Sequence, residues 1–200
     1  MVKVTKNRKR YFFIDEIDFE PIMYNVYIKE GNNTANYRYQ NSSNKQQNVI
    51  ANKNRTTELG EFFVGLYNIE ATKDFEKDES IVEGSVDGSL HIDTDKAGEK
   101  RRVIAKDNFE QSSFKVSLNN TDKLDKVKKI YIDGKEADYK EGEIYGKLPA
   151  ESPIKVHAIG TIDDEKIKTK PVDVEANTND KTQLINLTFD QKAIDKHIKK

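Results

Sequence analysis

Apolar and polar residues alternate with a period of two along most of this chain. Phe114, Val116 and Leu118 share one parity, Ile154, Val156 and Ala158 another, and residues 184–189 keep the same rhythm. Successive side chains of a strand point to opposite faces, so this pattern predicts half-buried strands. Helical spacing is confined to the C-terminal DQKAIDKHIKK, where Ala193, Ile194, His197 and Ile198 would share a face in a short helix that frays in isolation. Short strands parted by Gly, Asn and Asp clusters predict an all-β fold made of small immunoglobulin-like sandwiches.

The pattern also repeats. Val2–Pro21 has the grammar of Phe114–Tyr139, an alternating strand, a polar turn and an aromatic-rich strand ending in Ile-Asp. Leu59–Thr72 parallels Tyr145–Ala158, and Glu99–Leu118 parallels Ile167–Phe189. Two tandem β-sandwich modules follow, residues 1–112 and 113–190, with 191–200 as a linker or short helix. The first module is longer because of an insertion rich in Asn, Gln and Ser at 29–58, a long exposed loop or a loose hairpin in which Tyr37 and Tyr39 share one strand face. Asp133-Gly134 predicts a tight hairpin, since both positions of a two-residue primed turn need positive φ. Gly84–Gly88 and Asp93–Glu99 read as turns, and Thr161–Glu165 as the turn in module two equivalent to the latter.

Composition thins the cores that such modules can build. Of 200 residues, hydrophobic types make up 35% and charged types 34%, which suits thin sandwiches with a heavily charged surface. Lys plus Arg (34) nearly cancels Asp plus Glu (35), leaving −1. A balance of this kind removes the electrostatic case for nucleic acid. There is no cysteine, hence neither a disulfide framework nor a thiolate metal site. No apolar run approaches the ~20 residues of a membrane span, so an extracytoplasmic location requires an export signal preceding this segment.

Candidate chemistry is sparse. Gly84-Ser-Val-Asp-Gly88 is not a nucleophile elbow. His91, His157 and His197 lack ligand spacing, and His157 is placed on the solvent side of its strand. The Asp93-Thr-Asp95 start of a calcium loop lacks its later oxygen ligands. The rings of Tyr11, Phe12, Phe13, Phe19, Tyr24, Tyr27, Tyr37 and Tyr39 are assigned to a sandwich core rather than to a sugar platform. What remains are two basic turns, Arg8, Lys9 and Arg10 in the first and Arg101 and Arg102 in the second, as candidate contacts for an anionic polymer such as wall teichoic acid.

Three motifs carry a resemblance over the whole chain. They are Lys6-Asn7 through Tyr11, Phe13 and Asp15; Gly60-Glu-Phe62-Phe-Val-Gly65-Leu-Tyr67; and Tyr145-Gly146-Lys-Leu-Pro149. Together they resemble the central extracytoplasmic part of the TcaA family, teicoplanin resistance-associated single-pass membrane proteins of low-GC Gram-positive bacteria. The resemblance implies a non-enzymatic role in cell-envelope stress and glycopeptide susceptibility, with a cell-wall polymer or a membrane protein as partner. It implies no cofactor in this segment, and membrane attachment through a helix N-terminal to it. The motifs are fold signatures, so no site residue transfers with them, and nothing in the sequence sets an oligomeric state. A structural spacer without ligand is the competing expectation.

Overall fold

The computed structural model describes residues 2–10, 14–41, 43–76, 80–177 and 181–198, in backbone only for 2–10, 14–19 and 126–128. Among the described residues the chain is all-β apart from one 3-10 turn and one C-terminal helix. Strands β1 (Val2–Arg10) and β2 (Ile14–Pro21) pair antiparallel as a two-stranded sheet of their own.

Eight strands follow: β3 (Met23–Lys29), β4 (Ala35–Gln40), β5 (Gln46–Ala51), β6 (Thr56–Phe63), β7 (Leu66–Phe75), β8 (Gly84–Asp93), β9 (Arg102–Ile104) and β10 (Lys106–Phe109). They form a five-stranded sheet, β10-β8-β7-β4-β5, and a three-stranded sheet, β6-β3-β9. Both sheets contribute to one apolar cluster, with Val26, Ile28, Phe62 and Val103 from the smaller and Tyr37, Leu90, Ile92 and Phe109 from the larger.

The remaining strands are β11 (Gln111–Asn119), β12 (Lys126–Ile132), β13 (Lys135–Asp138), β14 (Tyr145–Pro149), β15 (Ile154–Ile162), β16 (Glu165–Lys168), β17 (Val172–Val174) and β18 (Gln183–Thr188), followed by α1 (Gln191–Ile198). Here β14-β11-β18 faces β13-β12-β15-β16, with β17 also on β15. Phe114, Leu148 and Leu187 meet Ile130, Ile132 and Val156 in a second cluster.

The two halves share one topology. In each, the first strand pairs antiparallel with one neighbour and in parallel with the last strand of its sheet, β3 between β6 and β9, β11 between β14 and β18. The hairpin β4–β5 occupies the place of β12–β13. Gly60 and Gly146, which the sequence comparison set opposite each other, both sit at a register shift with φ of 142° and 141°. A β-bulge stabilised by glycine is thus repeated at the same place.

Several expectations change. Residues 29–58 are more than an exposed loop or loose hairpin: they supply β4 and β5 of the five-stranded sheet, and Tyr37 and Tyr39 lie in the core to which the sequence assigns their rings. The alternation of β4 and β5 was hidden because four of the six outward positions are amides and one, Ile50, is apolar. The true counterpart of β11–β12 is β3–β4, whereas Val2–Pro21 builds the separate hairpin. Gly84–Gly88 opens strand β8 and buries Val86 instead of turning. Asp93–Glu99 begins with a 3-10 turn at Thr94–Lys96, capped by Asp93. Helix α1 does not hang free, since Ile194 is fully buried in the second cluster and the Asp190 side chain accepts from the Lys192 amide. The hairpin turn is as expected, with φ of 47° at Asp133 and 78° at Gly134.

Candidate functional site

The junction between the two clusters is built from loops that sequence alone leaves unremarkable. Strand β10 ends at Phe109 and β11 begins at Gln111, so one residue separates the halves. The β3–β4 loop meets β14: the Asn32 amide donates to the Gly146 carbonyl at 2.8 Å, and the Gly146 amide donates to Asn32 Oδ1 at 2.8 Å. Asn33 Nδ2 donates to the Lys147 carbonyl at 3.2 Å, and Asn33 Oδ1 accepts from the Ile81 amide. Gly31 lies so close that a Cβ there would meet the Gly146 carbonyl oxygen at 2.3 Å. Backbone-to-backbone contact of this kind needs glycine. The β7–β8 connection completes the seam, with Val82 packed into the second cluster.

Beneath this seam lies a buried ionic network. Lys73 is fully buried; its Nζ is 2.7 Å from Glu30 Oε1, 2.9 Å from Gln111 Oε1 and 3.5 Å from Asp107 Oδ2. The Tyr37 hydroxyl donates to Glu30, and Gln111 Nε2 donates to Asp107 Oδ2 at 3.0 Å. From the second module Lys147 reaches across, its Nζ 2.6 Å from Asp107 Oδ1. Two ammonium groups thereby face two carboxylates. A buried charge persists only where partners replace its lost hydration; Lys73 and Asp107 have several, whereas Glu30 Oε2 has no hydrogen-bond partner among the described residues.

The titration of these groups follows from the same balance. Burial holds the Lys73 ammonium below the ordinary lysine value, with Glu30 and Asp107 opposing the shift. Burial would raise Asp107, but Lys73 and Lys147 outweigh it and hold the carboxyl below the usual aspartate range. Burial first, then the nearby Glu30 and Asp107 carboxylates, push the Tyr37 phenol well up.

Above the network opens a cleft of about 870 Å³ between the modules. Its walls mix amides and hydroxyls, among them Asn32, Asn68, Asn177 and Ser89, with the charged Lys106 and Lys147, and Ile104 and Ile144 stand exposed at its edge. Lining of this type offers neutral and charged hydrogen-bonding groups together with apolar contact, a mixture that fits polar polymer segments.

The basic positions read from the sequence fall elsewhere. Arg8, Lys9 and Arg10 end strand β1, away from its Val2 to Pro21 base pairing; their side chains lie outside the described residues, as do Tyr11, Phe12 and Phe13. Arg101 adopts a left-handed turn conformation with φ of 52°, and both it and Arg102 are exposed. The Arg102 guanidinium lies over the Tyr27 ring at 4.4 Å. Of the histidines, His157 stacks on Tyr131 with its pKa lowered by partial burial and then by Lys168, and His197 Nδ1 is 2.7 Å from Glu165. Among the described residues no three His, Asp or Glu side chains converge as a metal site, and no helix is long and apolar enough to cross a membrane.

Sequence reasoning missed Glu30, Lys73 and Asp107. One signal was present: in Ala71-Thr-Lys73-Asp-Phe75 the lysine shares the parity of two inward residues. A lysine on the buried side of a strand implies buried carboxylate partners.

Topology and junction together define the class, a pair of repeated all-β modules joined through a polar, ion-paired seam. Residues 110–189 match the family model described as the TcaA protein 3rd/4th domain. The whole chain aligns at 28% identity with the membrane-associated protein TcaA of Staphylococcus aureus strains MW2, Newman and COL. The alignment covers 100% of this chain and 42% of each relative, so the chain spans about two-fifths of their length. The resemblance carried by the three motifs thus extends over the full chain, which is similar along its whole length to proteins named membrane-associated protein TcaA.

Proposed function

We propose that this chain is a non-catalytic, extracytoplasmic part of a TcaA-like single-pass membrane protein, acting in cell-envelope stress and teicoplanin susceptibility by binding or organising wall or membrane partners. The observation that carries this reading is the intermodule cleft, whose amides, hydroxyls and lysines Lys29, Lys106 and Lys147 suit a polar wall polymer and whose floor is tied down by the Lys73 network. Relatives named membrane-associated support the location. The basic positions Arg8, Lys9, Arg10, Arg101 and Arg102 would add attraction for anionic wall polymer. A second reading, a spacer that sets the height of other domains, is favoured by the same tied seam, since Lys147 and Asn32 hold the modules to each other.

Co-sedimentation with intact Gram-positive walls separates the two. The expected result is retention that falls with salt and after chemical removal of teichoic acid, and that drops when Arg101 and Arg102 are replaced by glutamine. Absence of retention at low salt would leave the spacer as the better account.

A further inference from the structure

Strand β5 ends the five-stranded sheet and pairs with β4 in unbroken register from Gln46 to Ala51. An edge of this kind displays unpaired amides and carbonyls, and proteins normally guard it with charge, proline, bulges or brevity. The other edges here are guarded. Strand β10 has four residues including Lys106 and Asp107; β13 and β16 are equally short and carry three charges each; β9 and β17 have three residues. Strands β6 and β14 contain the bulges at Gly60 and Gly146. Uncharged β18 is flanked at its start by the segment 175–177, to which the Gln183 side chain donates, and it leads into α1 at its end.

Strand β5 has none of these devices. Gln46-Gln-Asn-Val-Ile-Ala51 holds no charge, proline or glycine, and Ile50 is 58% exposed. Its flanks are basic. From Gly31 to Thr57 the sequence contains no Asp or Glu, yet it carries Arg38, Lys45, Lys53 and Arg55. Arg38 is spent on Asp74 at 2.5 Å. Lys45, before the strand, and Lys53 and Arg55, after it, are exposed and join no ion pair among the described residues. A second copy of β5 would bring like charges together at both ends of the pair. An incoming strand with acids at both ends would not.

We infer that β5 is a strand-addition site for an extended peptide segment of a partner protein, with an uncharged alternating centre and acidic residues at both ends. Ladder hydrogen bonds supply the pairing, Ile50 an apolar contact on one face, and Lys45, Lys53 and Arg55 the choice of flanks. This site is separate from the cleft, and failure of wall retention leaves it standing.

The test uses the whole chain and a fluorescein-labelled peptide, Asp-Glu-Thr-Val-Thr-Val-Thr-Asp-Glu, read by anisotropy at low salt. The acidic peptide is expected to bind saturably. Methylating alternate backbone nitrogens, which keeps every charge and side chain, should weaken binding by at least about tenfold, because ladder bonds are lost. The variant K45E/K53E/R55E should lose the acidic peptide and prefer its lysine-flanked analogue. Equal binding by the methylated peptide would reduce the effect to charge attraction and overturn the proposal. So would no binding up to millimolar peptide, or self-association of the free chain that the K45E/K53E/R55E variant strengthens.

Discussion

Asp107→Ala is expected to destabilise the protein by about 3–5 kcal/mol, the cost of leaving buried charge without its partner. Asp107 accepts from Gln111 and faces both Lys73 and Lys147. Its loss leaves Lys73 with a single carboxylate, Glu30, in a place that water does not reach. Urea unfolding checks the size, and the pH dependence checks the cause. Because the folded carboxyl is held below its ordinary range, the stability it contributes is present above the unfolded pKa of about 4 and is lost as pH falls through the folded value. The wild-type protein should therefore lose this increment only in that acid window, and the alanine variant should lack it. Asp107→Asn should fall between the two at neutral pH, since the amide keeps the shape and one acceptor but not the charge.

The second large effect belongs to the helix. Ile194→Ala is expected to cost about 2–5 kcal/mol, the usual range for removing a large aliphatic side chain from a core that collapses only in part. Ile194 is fully buried beside the strands of module two, whereas Ile198, four residues on, is 51% exposed. Ile198→Ala should stay within about 0.5 kcal/mol. A pair of urea melts decides the matter: similar midpoints for the two variants would mean that α1 adds nothing to the module.

How far the sequence could be read depended on what kind of information each feature needs. Alternation reports which face a residue takes, and it gave the strands at Ile154–Ile162 and Gln183–Thr188, the Asp133-Gly134 turn and the helical spacing of the tail. Pairing partners are not written in alternation, so Val2–Pro21 could be set against Phe114–Tyr139 on grammar alone, although the topology pairs β3–β4 with that segment. The amide-rich hairpin β4–β5 was obscured for another reason. Asn, Gln and Ser are poor strand formers by propensity, and only the inward parity of Ala35, Tyr37 and Tyr39 with Val49 and Ala51 marks it as core. The junction was least legible, because Glu30, Lys73, Asp107 and Lys147 lie on four separate strands or loops and acquire meaning only when the fold brings them together.

The parallel alignment of β11 with β18 also governs how module two answers a pull. Tension drawn along the chain enters at Gln111 and leaves beyond Thr188, at opposite ends of two strands lying side by side through the six pairs from Phe114↔Gln183 to Asn119↔Thr188. Their ladder bonds are loaded in shear and must yield together, whereas the β12–β13 hairpin, whose ends leave from the same side, would open like a zipper. That geometry makes the second module resistant to a pull along the chain, with its lifetime under load set by the unfolding rate rather than by equilibrium stability.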